Sequence, residues 1–129
     1  MNNKLFLSLL LTLSCGPGMA AWVKVASNEQ SVFYLDSPVP KKVGTNVMIW
    51  ILRDHTSPRF GDFGAYLSSK DQIEMDCSQQ RIRRIYSADH PQHMGAGKFV
   101  HSEHGPMSWN PVAPNTIVKR IVAIACLSS

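Results

Sequence analysis

The chain has 129 residues, 44% of them apolar, and carries 13 Lys and Arg against 9 Asp and Glu, a net charge of +4. That length holds one small domain and leaves little room for a second, and the apolar share is too high for a disordered chain. The longest apolar stretch, residues 5–13, is broken at Ser8 and Thr12 and is too short to span a bilayer; no repeat period and no nucleotide-binding, zinc-finger or nucleophile-elbow pattern occurs.

Lys4 places one positive charge ahead of that short apolar run, and residues 14–21 are mostly small. This is the layout of a secretory signal peptide. Gly18 and Ala20 occupy the −3 and −1 positions of a cut after Ala20, and Pro17 breaks the signal helix just before it. Residues 1–20 are therefore predicted to be a signal peptide and residues 21–129 a single domain. Cys15 offers a second reading, cleavage just before it and a lipid anchor on its sulfur. Ser14 fits the motif of bacterial lipoproteins, but Thr12 and Leu13 do not. Cleavage after Ala20 is the favoured reading, which predicts a periplasmic or secreted protein rather than an outer-membrane lipoprotein.

Cleavage there removes Lys4 and Cys15, leaving 12 positive against 9 negative side chains, or +3, and two cysteines, Cys77 and Cys126. An even pair in an oxidising compartment predicts one disulfide; two free thiols or a two-cysteine metal site are the alternatives. With 48 residues between them, loop-closure arithmetic makes a bridge worth about 4 kcal/mol.

Along the predicted domain, residues 22–26 alternate and predict a strand, and residues 28–30 a turn. Residues 31–36 are β-branched and aromatic and predict a second strand, stopped by Pro38 and Pro40; residues 41–44 predict another turn. Residues 45–54 predict the strongest strand, apolar on both faces through Leu52 and so covered on both sides over part of its length. Pro58, Gly61 and Gly64 punctuate a predicted loop at 55–64. Ile73, Met75 and Cys77 alternate with Glu74 and Asp76, the mark of a half-buried strand. A turn at 78–80 returns the chain as a strand at 81–86. Residues 89–97, rich in Pro, His and Gly, predict a loop, and 98–101 a last strand.

The C-terminal pattern changes. Asn115 is the predicted N-cap of a helix over 116–125, whose pairs Ile117–Ile121 and Val118–Val122 form one apolar stripe. A β-branched strand is the competing reading. The expected fold is α+β: an antiparallel sheet of about six strands, with one C-terminal helix packed on it and tied by Cys77–Cys126.

In chain order, Trp22, the strand end Tyr34-Leu35-Asp36, Trp50 in the apolar strand, Asp76-Cys77, the arginines at 81, 83 and 84, Trp109-Asn110-Pro111-Val112-Ala113-Pro114 and a final Cys126 make a combination that resembles the surface-adhesin protein E-like family of Gram-negative bacteria. The resemblance covers nearly all of residues 22–126. It implies an antiparallel sheet joined by a disulfide to a C-terminal helix, and a non-enzymatic binding role. One member is an outer-membrane lipoprotein that binds host matrix proteins and haem; the poor lipoprotein motif around Cys15 departs from that member.

Three groups of residues are candidates for binding. Arg81 and Arg83 share a strand face and, with Arg84, suit a protein or acidic macromolecular partner; pairing with Glu74 and Asp76 across the hairpin is the competing role. Phe60 and Phe63, flanked by glycines, are either a partner anchor or a lid on the core. His90, His93, His101 and His104, near Met94 and Met107, offer ligands for copper, zinc or haem iron, or form an ordinary polar loop. No motif implies a resident cofactor, nucleic acid is not an expected partner after export, and no triad spacing can be recognised from the sequence, since triads are defined by geometry. The leading expectation is an exported, adhesin-like binding module. The alternatives are a periplasmic metal or haem carrier using residues 90–104 and, by analogy alone, a hydrolase inhibitor.

Overall fold

The computed structural model describes residues 22–36 and 40–127. The predicted signal peptide, Cys15 and the strand stop at 37–39 lie outside the described residues. The strands are β1 (Val23–Ser27), β2 (Ser31–Leu35), β3 (Lys41–Val43), β4 (Asn46–Gly61), β5 (Gly64–Asp76), β6 (Arg81–His90), β7 (His101–His104) and β8 (Asn110–Pro111), followed by one helix, α1 (Ile117–Leu127). A 3-10 turn, His93–Gly95, lies between β6 and β7. The strands form a single sheet in the order β1-β2-β4-β5-β6-β7, with β3 added to β4 and β8 to β6, and every pairing is antiparallel.

The sheet thus has eight strands among the described residues, not about six. The two extra strands have three and two residues, too few to print an alternation on the sequence. Lys41 to Val43, expected as a turn, is β3, and the turn sits at Gly44 and Thr45. The expected strand at 98–101 is displaced to His101–His104, because the ladder with β6 begins only where His101 meets Asp89.

The largest departure is at 55–64. The expected loop is strand: β4 and β5 form one long hairpin closed by Asp62 and Phe63 between the paired Gly61 and Gly64. Gly64 has φ +125, a conformation that side chains rarely adopt. Pro58 does break the ladder, since it has no N–H to give, but it breaks it as a bulge between Asp54 and Arg59. Within the bulge, Thr56 donates its N–H to the Gln30 carbonyl at 2.9 Å. A second bulge, between Gln72 and Ile73 on β5, leaves Ile85 as the extra residue on β6. The carbonyls of Ile85 and Arg84 then accept the N–H groups of Gly105 and Met107 at 2.7 and 2.9 Å, fixing the chain's return.

Alternation along the strands sends Leu35, Val47, Ile49, Ile73 and Met75 to one face, where they bury against Ile121, Val122 and Ala125 of α1. Each such aliphatic side chain contributes roughly 1.5–3 kcal/mol on burial. The helix starts at Thr116 rather than Asn115: Thr116 Oγ1 accepts the Lys119 N–H at 3.1 Å. Asn115 has φ +60, whereas an N-cap needs extended backbone. The buried stripe is also shifted by part of a turn, leaving Val118 40% exposed. At the far end of α1, Cys126 is bonded to Cys77, with their Cα atoms 5.9 Å apart.

Candidate functional site

The tip of the β4–β5 hairpin carries the most exposed aromatic side chains among the described residues. Phe60 is 82% and Phe63 64% exposed. They do not fold back on the core, because the hairpin carries them beyond the sheet's apolar face. Phe63 stacks instead on His101, centroids 4.4 Å apart and planes 5° from parallel. Beside this stack is an open pocket of about 330 Å³ lined by Phe63, Tyr66, Asp89, His101 and Glu103.

Arg81 and Arg83 share a face, as expected, opposite Asp76 and Glu74 on β5. Arg81 donates to Asp76 at 3.0 Å and Arg83 to Glu74 at 2.9 Å. Both guanidinium carbons also lie 4.5 Å from the Trp109 ring centre, a cation–π arrangement. Asp76 in turn accepts the Gln79 N–H and the Ser78 hydroxyl, and the Gln79 bond with the Arg81 contact holds its carboxyl below the usual range. Arg84 pairs with Ile73 and so faces the helix side. The arginines and the phenylalanines are not one site: Phe60 pairs with Ala65 and Arg83 with Glu74, nine positions along β5, or about 30 Å at roughly 3.3 Å per residue.

The four histidines do not converge. His90 is buried, with Nδ1 2.8 Å from the Gly97 carbonyl. His93 pairs with Asp54 at 3.0 Å. His101 sits opposite Asp89 and His104 opposite Tyr86, on alternate faces of the sheet. His104 packs against Tyr86, centroids 4.8 Å apart. Among the described residues no group of three or more His, Cys, Asp or Glu is placed to hold a metal ion.

One polar cluster escaped the sequence reading. His55, expected in a loop, is only 2% exposed. Its Nδ1 lies 2.8 Å from Ser31 Oγ and its Nε2 3.4 Å from Ser69 Oγ. Ser69 donates to Asp89 at 2.8 Å, so its oxygen is left to accept from Nε2–H, and Nδ1 accepts from Ser31. Burial first, then the nearby charges of Arg53 and Arg59, lower the His55 pKa to about 4. The imidazole is therefore neutral and ties β2, β4 and β5 together where apolar packing has ended. Both serines are buried, so the cluster serves packing and not an open pocket. No spacing in the sequence announces it.

The family model for surface-adhesin protein E matches residues 22–127. The chain belongs to that family. Two solved structures are similar to it. The structure of Haemophilus influenzae protein E is 11% identical, with a TM-score of 0.61 over 88% of this chain and 90% of that one. The crystal structure of protein E from non-typeable Haemophilus influenzae is also 11% identical, with a TM-score of 0.59 over 88% of this chain and 81% of that one. At this identity the likeness shows the fold. No curated protein matches the chain. The family is one of surface adhesins, which makes this an adhesin-like, exported or surface protein; these comparisons add no support for the carrier or the hydrolase-inhibitor alternatives. No helix of the described residues is long and apolar enough to cross a membrane.

Proposed function

We propose that the exported chain is a non-enzymatic binding module that holds a host protein through the tip of the β4–β5 hairpin. The observation that carries this reading is the pair Phe60 and Phe63, 82% and 64% exposed at the end of a hairpin whose base is an antiparallel ladder. Large aromatic side chains left in water cost free energy that a partner can recover, and aromatic anchors dominate the energetics of many interfaces. A rigid scaffold carrying such anchors at a loop is a common arrangement for recognition.

Arg81 and Arg83 form the secondary surface. Their charge is largely engaged by Asp76, Glu74 and Trp109, which leaves them less to offer an acidic partner than the sequence suggests. The test is adherence of intact cells to immobilised matrix proteins. Cells expressing the chain should bind, and cells lacking it, or carrying Phe60→Ser with Phe63→Ser, should not. Full adherence by the double variant, or recovery of the protein only from the soluble periplasm, would count against the proposal.

A further inference from the structure

The helix leaves part of its own sheet face open. Beside α1 runs a groove of about 270 Å³, floored by strands β2, β4, β5 and β6 and walled by the helix. Phe33, Ile51 and Ile73 give it an apolar floor, and Val118, 40% exposed, is its rim. Arg53, Asp71 and Arg84 also line it. Two cations around one carboxylate leave a net positive charge in an otherwise apolar trough.

The hydrogen bonds decide which cation is available. Asp71 is buried and already satisfied: Arg53 Nε donates to Oδ2 at 2.9 Å and Ser87 Oγ to Oδ1 at 2.7 Å. Arg84 Nε comes only to 3.9 Å from Oδ1, and its side chain is 44% exposed. That distance is too long for a hydrogen bond. Among the described residues no acceptor lies within hydrogen-bond distance of the Arg84 guanidinium, which keeps its donors for a ligand at the mouth of an apolar groove.

We propose that this groove binds a small amphiphilic anion, a carboxylate on a short acyl chain. The carboxylate sits on Arg84 and the chain lies against Phe33, Ile51 and Val118. A guanidinium fork matches a carboxylate with two parallel hydrogen bonds. A neutral apolar ligand would cover Arg84 and strip its water with nothing in return. The groove falls just below the roughly 300–1,000 Å³ of drug-sized sites, which limits the ligand to a short chain. The site is on the helix side of the sheet, away from the hairpin tip, and does not depend on the adhesion reading.

The experiment is calorimetric titration of the purified protein with decanoate, decanol and decyltrimethylammonium. Decanoate should bind saturably with one site, and the alcohol and the cation far more weakly. Arg84→Gln should weaken decanoate at least tenfold, because both charge-assisted hydrogen bonds of the fork are lost and a glutamine amide restores at most one neutral one. Val118→Glu, an exposed rim position, should weaken it at least as much, with an unchanged circular dichroism spectrum in both variants. Decanol binding as tightly as decanoate, either variant binding like the parent, or no saturable decanoate binding would each overturn the proposal.

Discussion

Phe63 lies flat on His101, ring centroids 4.4 Å apart and planes 5° from parallel. The contact joins the hairpin turn to β7, two segments that no strand ladder connects. It braces Phe63 in one orientation while leaving it 64% exposed, so less side-chain freedom remains to be lost when a partner arrives. An aromatic pair of this kind contributes about 0.5–1.5 kcal/mol. His101→Ala should therefore lower the melting temperature by several degrees and, because Phe63 must then be ordered on binding at a cost of about 0.5–1.5 kcal/mol, weaken partner binding by roughly two- to tenfold. Unchanged affinity in a solid-phase or optical binding assay would show that the stack does not position Phe63.

The bridge between Cys77 and Cys126, 49 positions apart, fastens the C-terminal end of α1 beside the end of β5. Closing a loop of that length removes denatured-state freedom worth about 4 kcal/mol. Replacing both cysteines by serine should lower unfolding free energy in urea by about that amount and expose α1 amides to hydrogen exchange before those of β4 and β5. A loss below about 1 kcal/mol would contradict this account of the bridge.

His55 predicts a pH dependence with a definite sign. Its pKa is lowered from 6.5 to about 4 in the fold, so the unfolded chain binds a proton that the folded chain refuses. The stability associated with a neutral His55 is full above pH 6.5 and is lost progressively as the pH falls toward 4. At roughly 1.4 kcal/mol per pKa unit, the loss is on the order of 3 kcal/mol. Urea midpoints measured across that range should fall for the parent chain, and the slope should flatten in His55→Gln. A parent curve that stays level would show that His55 is protonated in the fold.

The elements that could be read from the sequence are those whose pattern is repeated and local. Ile73 and Met75 alternate with Glu74 and Asp76 over a full strand, and the structure buries the first pair under the helix. Ile121 and Val122 mark the helix by their spacing, and Cys77 and Cys126 are paired by elimination once the compartment is fixed. Pro58, Gly61 and Gly64 misled because the same residues that punctuate loops also make a bulge and a tight turn within one hairpin. The bulge at Ile85 changes which residues of β6 share a face, so that Tyr86 lies against Trp50, centroids 5.7 Å apart, on the same face as Arg83. Such shifts, like the meeting of His55 with Ser31 and Ser69 from three strands, depend on register between distant segments and leave no mark at short range. Within the candidate site, the exposure of Phe60 and Phe63 follows from the length of the hairpin, which local sequence did not reveal.

The central claim is that recognition resides at the hairpin tip, and the most direct measurement is the affinity of the purified protein for a host matrix protein that the parent chain binds. Phe60→Ser with Phe63→Ser is compared with Arg81→Ala with Arg83→Ala. The account predicts at least a tenfold loss for the phenylalanine pair, two exposed aromatic anchors removed together, and a smaller loss for the arginine pair. Parent-like affinity in the phenylalanine variant, with binding lost on removing the arginines from a folded protein, would contradict it.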